Sequence, residues 1–209
     1  MRLYTIGHST RILDDLVAAL QSFGVQLLVD IRTVPRSRHA PQFNRDALSR
    51  HLPRRGIRYR HMAGLGGLRK PRADSTNTAW RNAGFRGFAD YMETPEFPAA
   101  LEELRTLAQD EGPAAIMCAE AVPWRCHRSL VADALTARGD EVLHIMGPGK
   151  AHLHALTPWA QVDGGRVSYP GAPDHVSGGR SVVPGSRAPA VGRRPGRRSS
   201  PRAEQKPLL

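Results

Sequence analysis

The chain has 209 residues, 40% of them hydrophobic, and a formal net charge of +11. That length buries one substantial core and makes a second unlikely to fit. No apolar run approaches the roughly 18 residues of a membrane span, and the first residues lack the apolar core of a signal peptide; a soluble, cytoplasmic protein without membrane association is expected.

Along the chain, short apolar runs alternate with amphipathic stretches. Leu3-Tyr4-Thr5-Ile6 is a strand stopped by Gly7. Leu13, Leu16, Val17, Leu20 and Phe23 recur at spacings of three and four, predicting a helix over 11–23 with Gly24 as its stop. Residues 25–31, nearly all apolar, read as a strand of a buried parallel sheet. Asn44 is placed to cap a helix over 45–52. Residues 57–61 alternate, as a strand nearer an edge does. Helices over 86–93 and 96–110, a strand over 114–118, a helix over 128–138 and a strand over 141–146 complete the series. Strands alternating with helices imply an α/β fold: one domain over 1–165, with a mostly parallel sheet flanked by helices.

The remainder, 166–209, reads as a disordered basic tail rich in Pro, Gly, Ser and Arg. Residues 171–209 hold eight Arg or Lys against two Asp or Glu, more than half of the net charge. Such a composition cannot bury enough surface to offset its ordering entropy. Basic tails can supply phosphate contacts, but with only three lysines in the chain the arginine bias has an equally good origin in coding composition.

Polar residues follow the apolar strands. His8 and Ser9 come after the first, Asp30 and Arg32 close the second, His61 follows the third, and Cys118 and Glu120 end the fourth. In parallel α/β sheets these ends share one edge, and ligands bind there. Both cysteines of the chain lie within MCAEAVPWRCHR, 117–128. In a chain of this class they are expected as reduced thiols.

The segments YTIGHS, LVDIRTVPRSRHAPQFN, GIRYRHMAGLGGLR and MCAEAVPWRCHRSLVADAL, followed by EVLHI, resemble the proteins catalogued as domain of unknown function 488. The resemblance covers roughly 2–157 and implies a compact α/β domain without naming a substrate. Its motif positions fall here on His8, Ser9, Asp30, Arg32, Pro35, Ser37, Tyr59, Leu65, Gly66, Gly67, Cys118, Glu120, Cys126, His127 and Arg128.

Several chemistries fit these residues. A cysteine between a strand end and a helix N-terminus sits in positive potential, which favours its thiolate. This is similar to rhodanese-type sulfurtransferases and cysteine phosphatases, although six residues separate Cys118 from Arg125 and Glu120 would intrude a carboxylate. Cys118, Cys126 and His127, with His8 or His61, include donors suited to zinc. The spacing lacks the usual C-x2-C hook, however, and adjacent Cys126 and His127 rarely face one ion, so no metal is expected. Asp30 and Glu120 are ionisable groups at apolar strand ends that need partners. Arg32, Arg125 and Arg128 can supply them, and His8 or His127 can act as acid or base. GLGGLRK lacks the Walker spacing, and no cofactor is expected.

The favoured reading is a carboxylate-centred site with Glu120 turned into the pocket. His8, Asp30, Cys118, Glu120 and His127 are its catalytic candidates. Ser9, Arg32, Ser37, Tyr59, Arg125 and Arg128 are its ligand-binding candidates. The arginines at 32, 36, 38 and 45 suggest a phosphate-bearing substrate, a nucleotide or nucleic acid, since guanidinium forks match phosphate oxygens. Two alternatives stand beside it: a non-catalytic nucleic-acid- or protein-binding module, and a thiol-dependent enzyme.

Overall fold

In the computed structural model, residues 1–171 are described. The tail expected over 166–209 lies outside them from 172 onward. Six strands form one sheet: β1 (Arg2–Gly7), β2 (Leu27–Asp30), β3 (Arg58–His61), β4 (Ala114–Cys118), β5 (Glu141–Gly147) and β6 (Lys150–Leu153). Their order is β3-β2-β4-β1-β5-β6, parallel throughout except for β6, which pairs antiparallel with β5. The expected α/β architecture is therefore present, with β3 at one edge as its alternating pattern implied.

Five helices cover the sheet: α1 (Leu13–Gln21), α2 (Arg45–His51), α3 (Ala83–Met92), α4 (Glu96–Asp110) and α5 (Arg128–Thr136). The pleat divides the core into two layers. Leu27 and Val29 of β2 and Ala114, Ile116 and Cys118 of β4 pack with residues of α3, α4 and α5. Leu28, Ala115 and Met117 point the other way, into a layer shared with α1 and α2. Cys118 and Asp30 thus end neighbouring strands on opposite faces.

Two expectations need correction. Asn44 precedes α2, but its side chain makes no capping bond there; its Oδ1 accepts the Ser37 backbone N–H at 2.7 Å, pinning the arginine loop instead. A hairpin of β7 (Gln161–Asp163) and β8 (Arg166–Ser168) crosses the expected boundary at 165. Tyr169 beyond it is fully buried, with its hydroxyl donating to Asp133 Oδ2 at 2.7 Å. The folded unit therefore includes residues assigned by composition to the tail.

Candidate functional site

The parallel strands deliver their C-terminal ends to one edge. There His8 N–H donates to Cys118 O (3.0 Å), Ile31 N–H to Met117 O (3.0 Å) and Met62 N–H to Asp30 O (2.9 Å), fixing four strand ends in register. The 119–121 loop then folds back across β1. A side chain at Gly7 would overlap the Glu120 carbonyl, so the glycine ending YTIG is a requirement of this close approach. Ser9, immediately after, is the single non-glycine residue with positive φ (+46°) among the described residues. Such backbone strain persists where the surroundings over-determine it, and it clusters at functional sites.

A cleft of about 360 Å³ opens at this edge, lined by His8, Arg32, Arg36, Ser37, Cys118 and His127 together with the Gly67 turn. Gly67 packs so closely on the His127 ring that a Cβ there would strike it. Phe88 of α3 meets the same ring at a centroid distance of 5.0 Å. Main-chain and aromatic walls therefore hold His127 over the cysteines. Its Nδ1 lies 3.9 Å from Cys118 Sγ and 3.7 Å from Cys126 Sγ, and both thiols are free.

The neighbouring Cys126 thiol is the largest influence holding the Cys118 thiol well below its ordinary range. Burial opposes it, and His127 reinforces it. The proximity of Cys118, with burial, pushes Cys126 upward. Beneath lies Arg128, only 1% exposed. Its Nη2 donates to Ala121 O at 2.8 Å, while Nε and Nη1 have no partner. No carboxylate pairs with Arg128 among the described residues; Cys126, Cys118 and Glu120 all favour its charged form against the penalty of burial.

Asp30 and Arg32 are joined to each other. Arg32 Nε and Nη2 donate to the two Asp30 oxygens at 2.8 and 2.5 Å, Nη2 also to Phe43 O at 2.6 Å, and Tyr59 OH donates to Asp30 Oδ2 at 2.9 Å. Asp30 is fully buried. This bidentate pair is a scaffold that spends most of the Arg32 donors. A remaining one, Nη1, meets His8 Nε2 at 3.2 Å. Because a guanidinium only donates, the His8 proton sits on Nδ1, which donates to Ser9 O at 3.0 Å. Burial, assisted by Arg32, lowers the His8 pKa, which agrees with a neutral ring.

The other expected residues divide. Glu120 is exposed, with Oε1 accepting the neighbouring Ala121 N–H at 3.1 Å. It lies with Ser9 on an adjoining cleft, also about 360 Å³, rather than on the floor beside Cys118. Arg125 is exposed and borders neither cleft. Tyr59 is committed to Asp30, and Ser37 borders both clefts. The objection that Cys126 and His127 would face apart fails here, because a 3₁₀ turn at Pro123–Arg125 sets the backbone so that both side chains meet Cys118.

Fold and site together define an α/β domain with a cleft at the carboxyl edge of its parallel sheet on which several polar side chains converge. The family model described as "Domain of unknown function DUF488" matches residues 12–135, and the chain belongs to that family. No curated protein and no solved structure matches the chain.

Proposed function

We propose that this protein is a small enzyme that binds a phosphate-bearing substrate, a nucleotide or nucleic acid, in the strand-end cleft and transforms it beside Cys118 and His127. The observation that carries the reading is the position of Arg36: an exposed guanidinium on the rim of a concave site whose floor holds Cys118 and His127. Arg32 and Asp30 neutralise each other, which leaves Arg36 to meet an anion, with Ser37 beside it. Neutral His8 also lines the cleft and carries its proton on the nitrogen bound to Ser9 O. A concave pocket with convergent polar groups favours an enzyme over a flat basic binding face.

Calorimetric titration of the full chain with inorganic phosphate and with a nucleoside monophosphate tests this. Charged hydrogen bonds contribute about 1.5–3 kcal/mol, so Arg36→Ala should weaken binding by roughly tenfold or more. Arg38→Ala, which alters an exposed arginine outside the cleft, should leave it nearly unchanged. Equal losses from the two substitutions would mean diffuse attraction to a basic surface, and the binding-module alternative would replace the enzyme.

A further inference from the structure

We infer that Cys118, Cys126 and His127 form a metal site suited to zinc, with one coordination position open to the cleft. This extends the proposed phosphate chemistry and rests on it for the metal's role, whereas metal binding itself can be tested without substrate. The ligand atoms of the three side chains all lie within 4.8 Å of one another. A tetrahedral zinc with Zn–S near 2.3 Å and Zn–N near 2.0–2.1 Å requires N···S edges of about 3.6 Å. The observed edges from His127 Nδ1 are 3.7 and 3.9 Å. The two His127–sulfur edges need shorten by only a few tenths of an ångström, and the two sulfurs, within 4.8 Å of each other, close toward the tetrahedral S···S edge of about 3.8 Å.

The supports of the three ligands are rigid. Cys118 ends β4, a strand paired on both sides within the sheet. Cys126 is held by its N–H to Pro123 O at 3.0 Å and by Ser129 Oγ donating to Cys126 O at 3.0 Å. His127 is wedged between Gly67 and Phe88. Two sulfurs and an imidazole form a soft donor set, which selects zinc over magnesium or calcium. Three protein ligands leave the fourth position of a tetrahedral ion unfilled, the pattern of catalytic zinc. Cys118 and His127 both line the cleft, so that position faces Arg36 and Ser37.

Charge supports the same assignment. Two thiolates balance a divalent ion, leaving the unpaired Arg128 charge beneath as a net positive centre at the cleft floor. An anionic phosphoryl oxygen entering the open position would be polarised by the metal and held at its other end by Arg36.

Chelator-treated full-length protein, titrated with cobalt(II) as the spectroscopic stand-in for zinc, tests the site. Saturation at one equivalent is expected, with the intense visible bands of tetrahedral cobalt and a thiolate-to-metal charge-transfer band. Cys126→Ser should remove about half of the charge-transfer intensity or all binding. A weak octahedral spectrum, or one unchanged by Cys126→Ser, would overturn the inference. Unsubstituted protein supplies a measurement independent of variant folding: one equivalent of zinc should slow alkylation of both cysteines together, at least tenfold. Unchanged labelling rates would also overturn it. Arg36→Ala should lose phosphate binding while keeping the cobalt spectrum, so failure of the phosphate reading and failure of the metal site give different results.

Discussion

Asp30 and Glu120 are both carboxylates just past apolar runs, yet their surroundings give them different parts. Asp30 lies on the α1–α2 face, where Arg32 and Tyr59 close around it; Glu120 stands two residues beyond β4 and bonds to its own neighbour's amide. Removing one partner of a buried ion pair leaves an uncompensated charge and costs about 3–5 kcal/mol. Asp30→Asn should therefore destabilise the protein by that order in urea unfolding. A loss below 1 kcal/mol would mean that the pair is not the scaffold described. That polar groups gather at this edge was readable from the sequence, because His8, Asp30, Arg32 and Cys118 each follow an apolar run. Which of them pair with each other was not. The Asp30–Arg32–Tyr59 cluster depends on the register of β2 with β3, which places Leu28 opposite Tyr59. Likewise, Arg125 points outward and Arg128 inward because one belongs to a 3₁₀ turn and the other begins α5. No sequence period spans that junction.

Among the elements, most of the readable ones carry a buried apolar stripe or run. All five parallel strands and all five helices were expected near their observed places, most from apolar spacing that reports burial directly, although α2 was read from Asn44 and β3 from its alternation without any fully buried residue. The strands β6, β7 and β8 gave little such signal: β6 and β7 are largely exposed, and β8 contributes one buried residue, Val167. Their short polar segments are held by pairing and turns instead. The fold-back of the 119–121 loop over β1 leaves a trace at Gly7. Gly7→Ala would force the Glu120 carbonyl and the Arg128 guanidinium aside, a cost of roughly 1–3 kcal/mol by overpacking. Gly147→Ala, with open space at the same atom, should stay within about 0.5 kcal/mol of the parent. Comparable thermal shifts for the two variants would contradict the account of the loop.

At the scale of the whole molecule, a second polar network ties the last strands to the core. Asp133 on α5 accepts bonds from His154, Thr157 and Tyr169, and His154 Nδ1 meets His144 Nε2 at 2.9 Å. His144 continues to Thr5 Oγ1 at 2.7 Å. Burial, followed by the His154 and Arg128 charges, lowers the His144 pKa to about 3. The unfolded chain, titrating near 6.5, binds this proton first as pH falls. The stabilisation is therefore complete above about pH 6.5 and is lost as pH drops toward 3, at up to about 1.4 kcal/mol per pH unit. Urea unfolding at pH 7.5, 6.5 and 5.5 should show the decline, with a shallower one in His144→Gln. Parallel declines in both proteins would contradict it. No helix among the described residues is long and apolar enough to cross a membrane.

Whether the chemistry of this domain resides in the strand-end cleft is read out by amide chemical-shift mapping of the full chain during titration with inorganic phosphate. Saturable shifts are expected to concentrate at His8, Arg36, Ser37, Gly67, Cys118 and His127, where four separated segments of the chain converge. Shifts confined to other arginine-bearing surfaces, with these six amides unmoved, would contradict that placement.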